Sequence, residues 1–226
     1  MDMSTEVLEA AFRKVGRGYG YESVSAEFSD FREFKVQWSR SYRYAHFRVS
    51  DYLSDAPQEV FEGLANTLFA KIAGKEEVPY SKTMREWVLS PAFSESKRPT
   101  YIKRSDGITG CPEGKERDLM DSVDRLVEMG LIDPEENFAV SWNEDEKRKA
   151  ASSSLLMRLI AVSSKLDDAE IPDFVVDYAV YSQYLKIVKG ARVFGFTTEV
   201  YTRDDERKFG KYKEAERMLD KLYMHL

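Results

Sequence analysis

The stretch IPDFVVDYAVYSQYLK, Ile171 to Lys186, decides how the rest of this chain is read. Pro172 suits the first turn of a helix, where its missing N–H costs nothing, and Gly190 suits the stop. Between them Phe174, Tyr178, Tyr181, Leu185 and Val188 recur at alternating steps of four and three residues, which predicts a core helix over 172–189. Periodicity alone asks nothing of this segment beyond packing.

The order of its residues says more. The stretch resembles the active-site helix of SprT-like and YgjP-like zincin metallopeptidases, whose pattern is similar to V-P-x-F-V-x-D-Y-V-x-Y-H-E-L-x-H-L. In that family the two histidines of H-E-x-x-H share one helix face and bind zinc, and the glutamate beside them is the general base. The resemblance puts the first ligand position at Ser182, the base at Gln183 and the second ligand at Lys186. Downstream, ERKFGKYKEAE (206–216) followed by Leu219 is similar to the family's later segment, and counting back from Phe209 puts the third ligand at Thr198.

None of the four suits zinc hydrolysis. Serine and threonine are poor neutral ligands, glutamine cannot take a proton from water, and an ammonium repels a dication. Further stretches, 49–60, 98–104, 126–132 and 153–166, look like segments of the same family in collinear order. The resemblance therefore covers 35–226, with 1–34 as an N-terminal helix and lead-in. It implies a single α+β domain over 1–226, a zincin-like fold with a mixed sheet and an active-site-like helix. It also implies that the zinc is lost, leaving no cofactor and no catalytic residue.

Composition agrees with that picture without requiring it. The 226 residues include only two histidines, His46 and His225, and one cysteine, Cys111. Zinc hydrolases draw three protein ligands mainly from His, Cys and carboxylates, so a conventional site is not expected, whereas a carboxylate site for magnesium or manganese stays open. The lone cysteine allows no internal disulfide and suits a reducing, cytoplasmic setting. No apolar run approaches the roughly 18 residues that span a bilayer, so no membrane association is expected. Asp2, Glu6, Glu9, Arg13 and Lys14 make the first 21 residues unlike a signal peptide. The net charge of −6 argues against a dedicated nucleic-acid binder but leaves room for a local patch.

Outward from the helix, the pattern predicts helices over 4–16, 50–73, 82–89, 117–129 and 203–224, with Asp55 as a cap for the second. Strands are expected at 34–38, 44–49 and 138–142. The run SLLMRLIAVS (154–163) reads as one buried strand, and Ser94 to Glu116 as a long irregular loop.

Two basic stretches bear on binding. Residues 31–48 carry Arg40, Arg43 and Arg48 among Trp38, Tyr42, Tyr44 and Phe47, the mixture a single-stranded nucleic acid requires. The same pattern describes an amphipathic hairpin with aromatics inward and cations outward. The loop 97–117 adds Lys103, Arg104 and Lys115 beside Gly107, Gly110 and Gly114, whose amides could hold an anion. GCPEGK (110–115) is one residue short of a phosphate-binding loop, and Glu116 follows where that motif needs Ser or Thr. The function expected is a pseudo-zincin, a binding or regulatory module for a protein or peptide partner, leaning away from an enzyme. The alternatives are a nucleic-acid-associated protein using 31–48 and 97–117, and a hydrolase with a relocated carboxylate metal site.

Overall fold

The structure, a computed structural model, describes residues 3–75, 79–193 and 203–223. The contacts divide the chain into two compact units, Met1–Ser90 and Pro91–Leu226. The sequence reads as one domain because no glycine, proline or serine-rich linker marks this boundary, which falls in the short turn between two helices.

The first unit contains α1 (Met3–Gly18), β1 (Ser23–Ser29), β2 (Val36–Arg40), β3 (Tyr44–Ser50), α2 (Gln58–Ile72) and α3 (Lys82–Val88). Its sheet has the order β1-β3-β2, with β3 parallel to β1 and antiparallel to β2. Ala45, Phe47 and Val49 alternate inward along β3 and are buried with Leu8 and Phe12 of α1 and Phe61, Leu64 and Phe69 of α2. Phe47 sits 4.8 Å from Phe12 and 5.1 Å from Phe69, centroid to centroid, so rings carry this core. Gly16 lets α1 come close: a Cβ there would lie 2.7 Å from Val24 and 2.8 Å from Phe69. Asp55 does not cap α2. Pro57 takes the N-cap position, and Asp51–Leu53 forms a separate short turn of 3-10 helix.

The second unit contains α4 (Pro91–Arg104), α5 (Leu119–Glu128), β4 (Ala139–Asn143), β5 (Ala151–Ser154), β6 (Leu159–Ser163), α6 (Asp173–Val193), α7 (Arg203–Glu206) and α8 (Tyr212–Tyr223). Its sheet runs β4-β6-β5, parallel between β4 and β6 and antiparallel between β5 and β6. α6 lies at the centre, packed against β5 and β6 and flanked by α5 and α8. Val175, Val176, Ala179, Val180 and Ile187 of α6 are buried with Leu119, Leu126, Ile160 and Val162. The molecule is thus mixed α and β, with two small mixed sheets.

The helix expected over 203–224 is divided, α7 ending at Glu206 and α8 beginning at Tyr212, and two further stretches differ from expectation. Ser94–Arg104 is helix, not loop: α4 runs through Pro99, and the hydroxyls of Ser94 and Ser96 donate back to the carbonyls of Pro91 and Phe93 at 2.9 and 3.1 Å. The run 154–163 is not one strand. It turns at 155–158, with Arg158 in the left-handed region at φ 48°, and returns as β6. The Arg158 guanidinium holds that turn by donating to the Asn137 carbonyl and the Glu136 carboxylate.

Candidate functional site

Helical geometry places Ser182, Gln183 and Lys186 on neighbouring positions of α6, and their side chains form one hydrogen-bonded chain. The Gln183 carbonyl oxygen Oε1 accepts from Lys186 Nζ at 3.3 Å and from Ser153 Oγ, on β5, at 3.2 Å. Gln183 Nε2 donates to Ser182 Oγ at 3.2 Å, and Ser182 Oγ donates to the Ala179 carbonyl at 3.0 Å. Gln183 is only 7% exposed. Burial lowers the Lys186 pKa below its ordinary value; nearby Glu206 opposes that shift and Lys149 adds to it. Ser153 is the member that sequence reasoning missed, because the strand holding it meets the helix only in the fold. Thr198, the third-ligand position, and His225 lie outside the described residues.

The residues at these positions do not fit zinc. A half-buried amine, a buried amide and a hydroxyl that already donates to a carbonyl offer no anionic or imidazole donor. Among the described residues no group of three or more His, Cys, Asp or Glu side chains is placed to hold a metal ion, which leaves the relocated carboxylate site without a candidate there. The acidic cluster 204–206 opens α7, and Asp205 pairs with Lys189 and with Lys208. Beside it, burial and then Asp205 push the Tyr181 hydroxyl up to about 12, and that hydroxyl donates to the Asp205 carbonyl at 2.8 Å.

The segment 105–118 has a structural occupation. Thr109 N–H donates to the Trp142 carbonyl and Trp142 N–H to the Cys111 carbonyl, at 3.0 and 3.1 Å, so 107–111 covers part of the β4 edge. The glycine amides do not hold an anion as expected: Gly110 N–H donates to the Ser141 hydroxyl and Gly114 N–H to the Arg117 carbonyl, while the three amides after Gly114 hold a carboxylate of the chain itself. Asp167 accepts from the backbone N–H groups of Lys115, Glu116 and Arg117 at 2.6, 3.0 and 3.2 Å. Gly114 makes room for it, since a Cβ would lie 2.5 Å from Asp167 Oδ2. Arg117 reaches the carbonyls of Asp168 and Ile171 and the Asp173 carboxylate, tying the loop to the start of α6. A cavity of about 570 Å³ adjoins this knot, bordered by Lys115, Glu113, Glu144 and Trp142. Lys103 and Arg104 close α4, where cations favour the negative end of the helix.

In the first unit Trp38, Tyr42 and Tyr44 are 40%, 90% and 41% exposed. Arg40, Arg43 and Arg48 are exposed too, but two of them are engaged. Arg43 pairs with Glu22 at 2.7 Å, and Arg48 donates to Ser29 at 3.0 Å and lies 3.8 Å from Glu27. His46, half-buried, shares Glu27 and is hydrogen-bonded to Ser25. The register puts Trp38 opposite Phe47 and Arg40 opposite Ala45, the helix-packed side, whereas Tyr44, His46 and Arg48 alternate to the other face. The hairpin therefore has Phe47 inward as an amphipathic hairpin should, yet leaves three aromatic rings in water.

No helix among the described residues is long and apolar enough to cross a membrane. No family model, no curated protein and no solved structure matches this chain.

Proposed function

We propose that the chain is a catalytically silent relative of the zincin metallopeptidases, a pseudo-zincin that serves as a binding or regulatory module for a protein or peptide partner in the cytoplasm. The observation that carries this reading is the closed cluster that Ser182, Gln183 and Lys186 of a central helix make with Ser153 of β5, the helix's residue order resembling the family's active helix. In a working enzyme of that family those helix positions present two imidazoles and a carboxylate to a metal and its water. Here they spend their polar atoms on one another, and zinc has no role.

Restoring the motif tests the assignment. The variant Ser182→His, Gln183→Glu, Lys186→His and Thr198→His should bind about one zinc per chain while the parent binds none. Absence of zinc binding by the folded variant would show that the residues are wrongly matched to the family. A second reading, a nucleic-acid-associated module, is favoured by the exposed rings of Trp38, Tyr42 and Tyr44 on a hairpin that also carries Arg40 and Arg43. It requires salt-dependent binding of a labelled single-stranded oligonucleotide that Arg40→Glu with Arg43→Glu abolishes.

A further inference from the structure

α5 has two apolar stripes. Leu119, Ser122 and Leu126 point into the core, as one face of a packed helix should. Met120, Val123 and Val127 form a second stripe, and with Ile132, Phe138 and Val140 they line a groove of about 290 Å³ in the second unit. Met120 is 44% exposed, and Met129, just past the helix, is 55% exposed. Beside the exposed Asp121, Asp124 and Glu128, this helix also turns outward a flexible thioether and two half-buried valines.

The charge around the groove is one-sided. Asp118, Asp121, Asp124, Glu128, Asp133, Glu135 and Glu136 lie within 118–138, against Arg125 as the sole basic residue. Arg125 is turned away into a pair with Asp177 of α6, Nη2 to Oδ1 at 2.7 Å. Glu136 is met by Arg158. Among the described residues no lysine or arginine lies within ion-pair distance of Asp124, Glu128 or Asp133, and Asp124, Asp133 and Glu136 border the groove itself.

That combination selects an occupant. Nucleic acid and anionic lipid are repelled, and an isologous pairing of two copies through this face would set its acids against themselves. We infer that the groove docks a basic amphipathic peptide segment of a partner protein. One large aliphatic or aromatic side chain enters between α5 and Phe138, and flanking Lys or Arg residues meet Asp124 and Asp133. None of Ser153, Ser182, Gln183 and Lys186 lines this groove, so the inference does not depend on the pseudo-zincin reading.

The test uses the full chain and a fluorescein-labelled peptide of about 16 residues, built of Leu and Lys with the leucines on one helical face. A Leu and Glu peptide of the same pattern and a scrambled Leu and Lys peptide are the comparisons. Saturable binding of the patterned basic peptide is expected, with methyl resonances of Met120, Val123 and Val127 shifting on titration. The affinity should fall about tenfold in Asp124→Lys with Asp133→Lys, and several-fold in Met120→Ser, both with unchanged circular dichroism. The inference is overturned by any of four results: no saturable binding, equal binding of the acidic or scrambled peptide, methyl shifts elsewhere, or indifference to both variants. Concentration-dependent self-association that shifts the same methyls without peptide would overturn it in favour of a second copy.

Discussion

Gln183 and Lys186 sit one helical turn apart on α6, joined by a 3.3 Å hydrogen bond. Their closeness is legible in the sequence, because positions three and four apart on a helix are neighbours. The partner on β5, Ser153, is not, since nothing in a run of serines says which one meets the helix. Lys186 is also where the electrostatics make a testable statement. Burial disfavours its ammonium form in the folded state and lowers its pKa from 10.5. The unfolded chain then holds the proton more readily, so this lysine weakens the fold at neutral pH and ceases to do so as pH rises toward the unfolded value. Lys186→Met should therefore raise stability by about 1 kcal/mol at neutral pH, with the advantage shrinking once the medium is alkaline enough to neutralise the amine. Urea unfolding of the two proteins across that pH range reads the difference. A less stable variant at neutral pH would mean that the bond to Gln183 outweighs the burial of charge.

The elements repeat this division between what local pattern reveals and what it hides. α5 and α6 carry long apolar stripes and emerge near their expected bounds, and α2 ends where expected but starts eight residues late, at Gln58. β1 was not legible: Val24, Ala26 and Phe28 alternate, but between them stand serines and a glutamate, weak strand formers that β3 recruits by pairing. α4 was hidden by Pro99, which ordinarily interrupts a helix, and β5 by an apolar run that conceals its own turn. The basic, glycine-bearing loop suggests an anion held by glycine amides, whereas the amides of Lys115, Glu116 and Arg117 hold the Asp167 carboxylate. That lock should be structurally costly to remove. Asp167→Ala removes the acceptor of three surface backbone N–H groups and should cost about 1–2 kcal/mol in denaturant unfolding. A loss below about 0.5 kcal/mol would show that water replaces the carboxylate without penalty.

At the scale of the whole molecule, two compact units share one chain, and composition marks neither their boundary nor their roles. The net charge of −6 conceals an uneven distribution, with seven acids between 118 and 138, three of them bordering an apolar groove, and exposed arginines on the β2–β3 hairpin. Everything proposed for α6 rests on the face of that helix having exchanged metal coordination for a closed set of hydrogen bonds. The metal content of untagged protein, measured as purified and again after incubation with zinc and desalting, addresses this directly. Less than about a tenth of an equivalent of zinc is expected in both samples, since neither amide nor ammonium holds the ion through desalting. Close to one tightly held zinc per chain would contradict it.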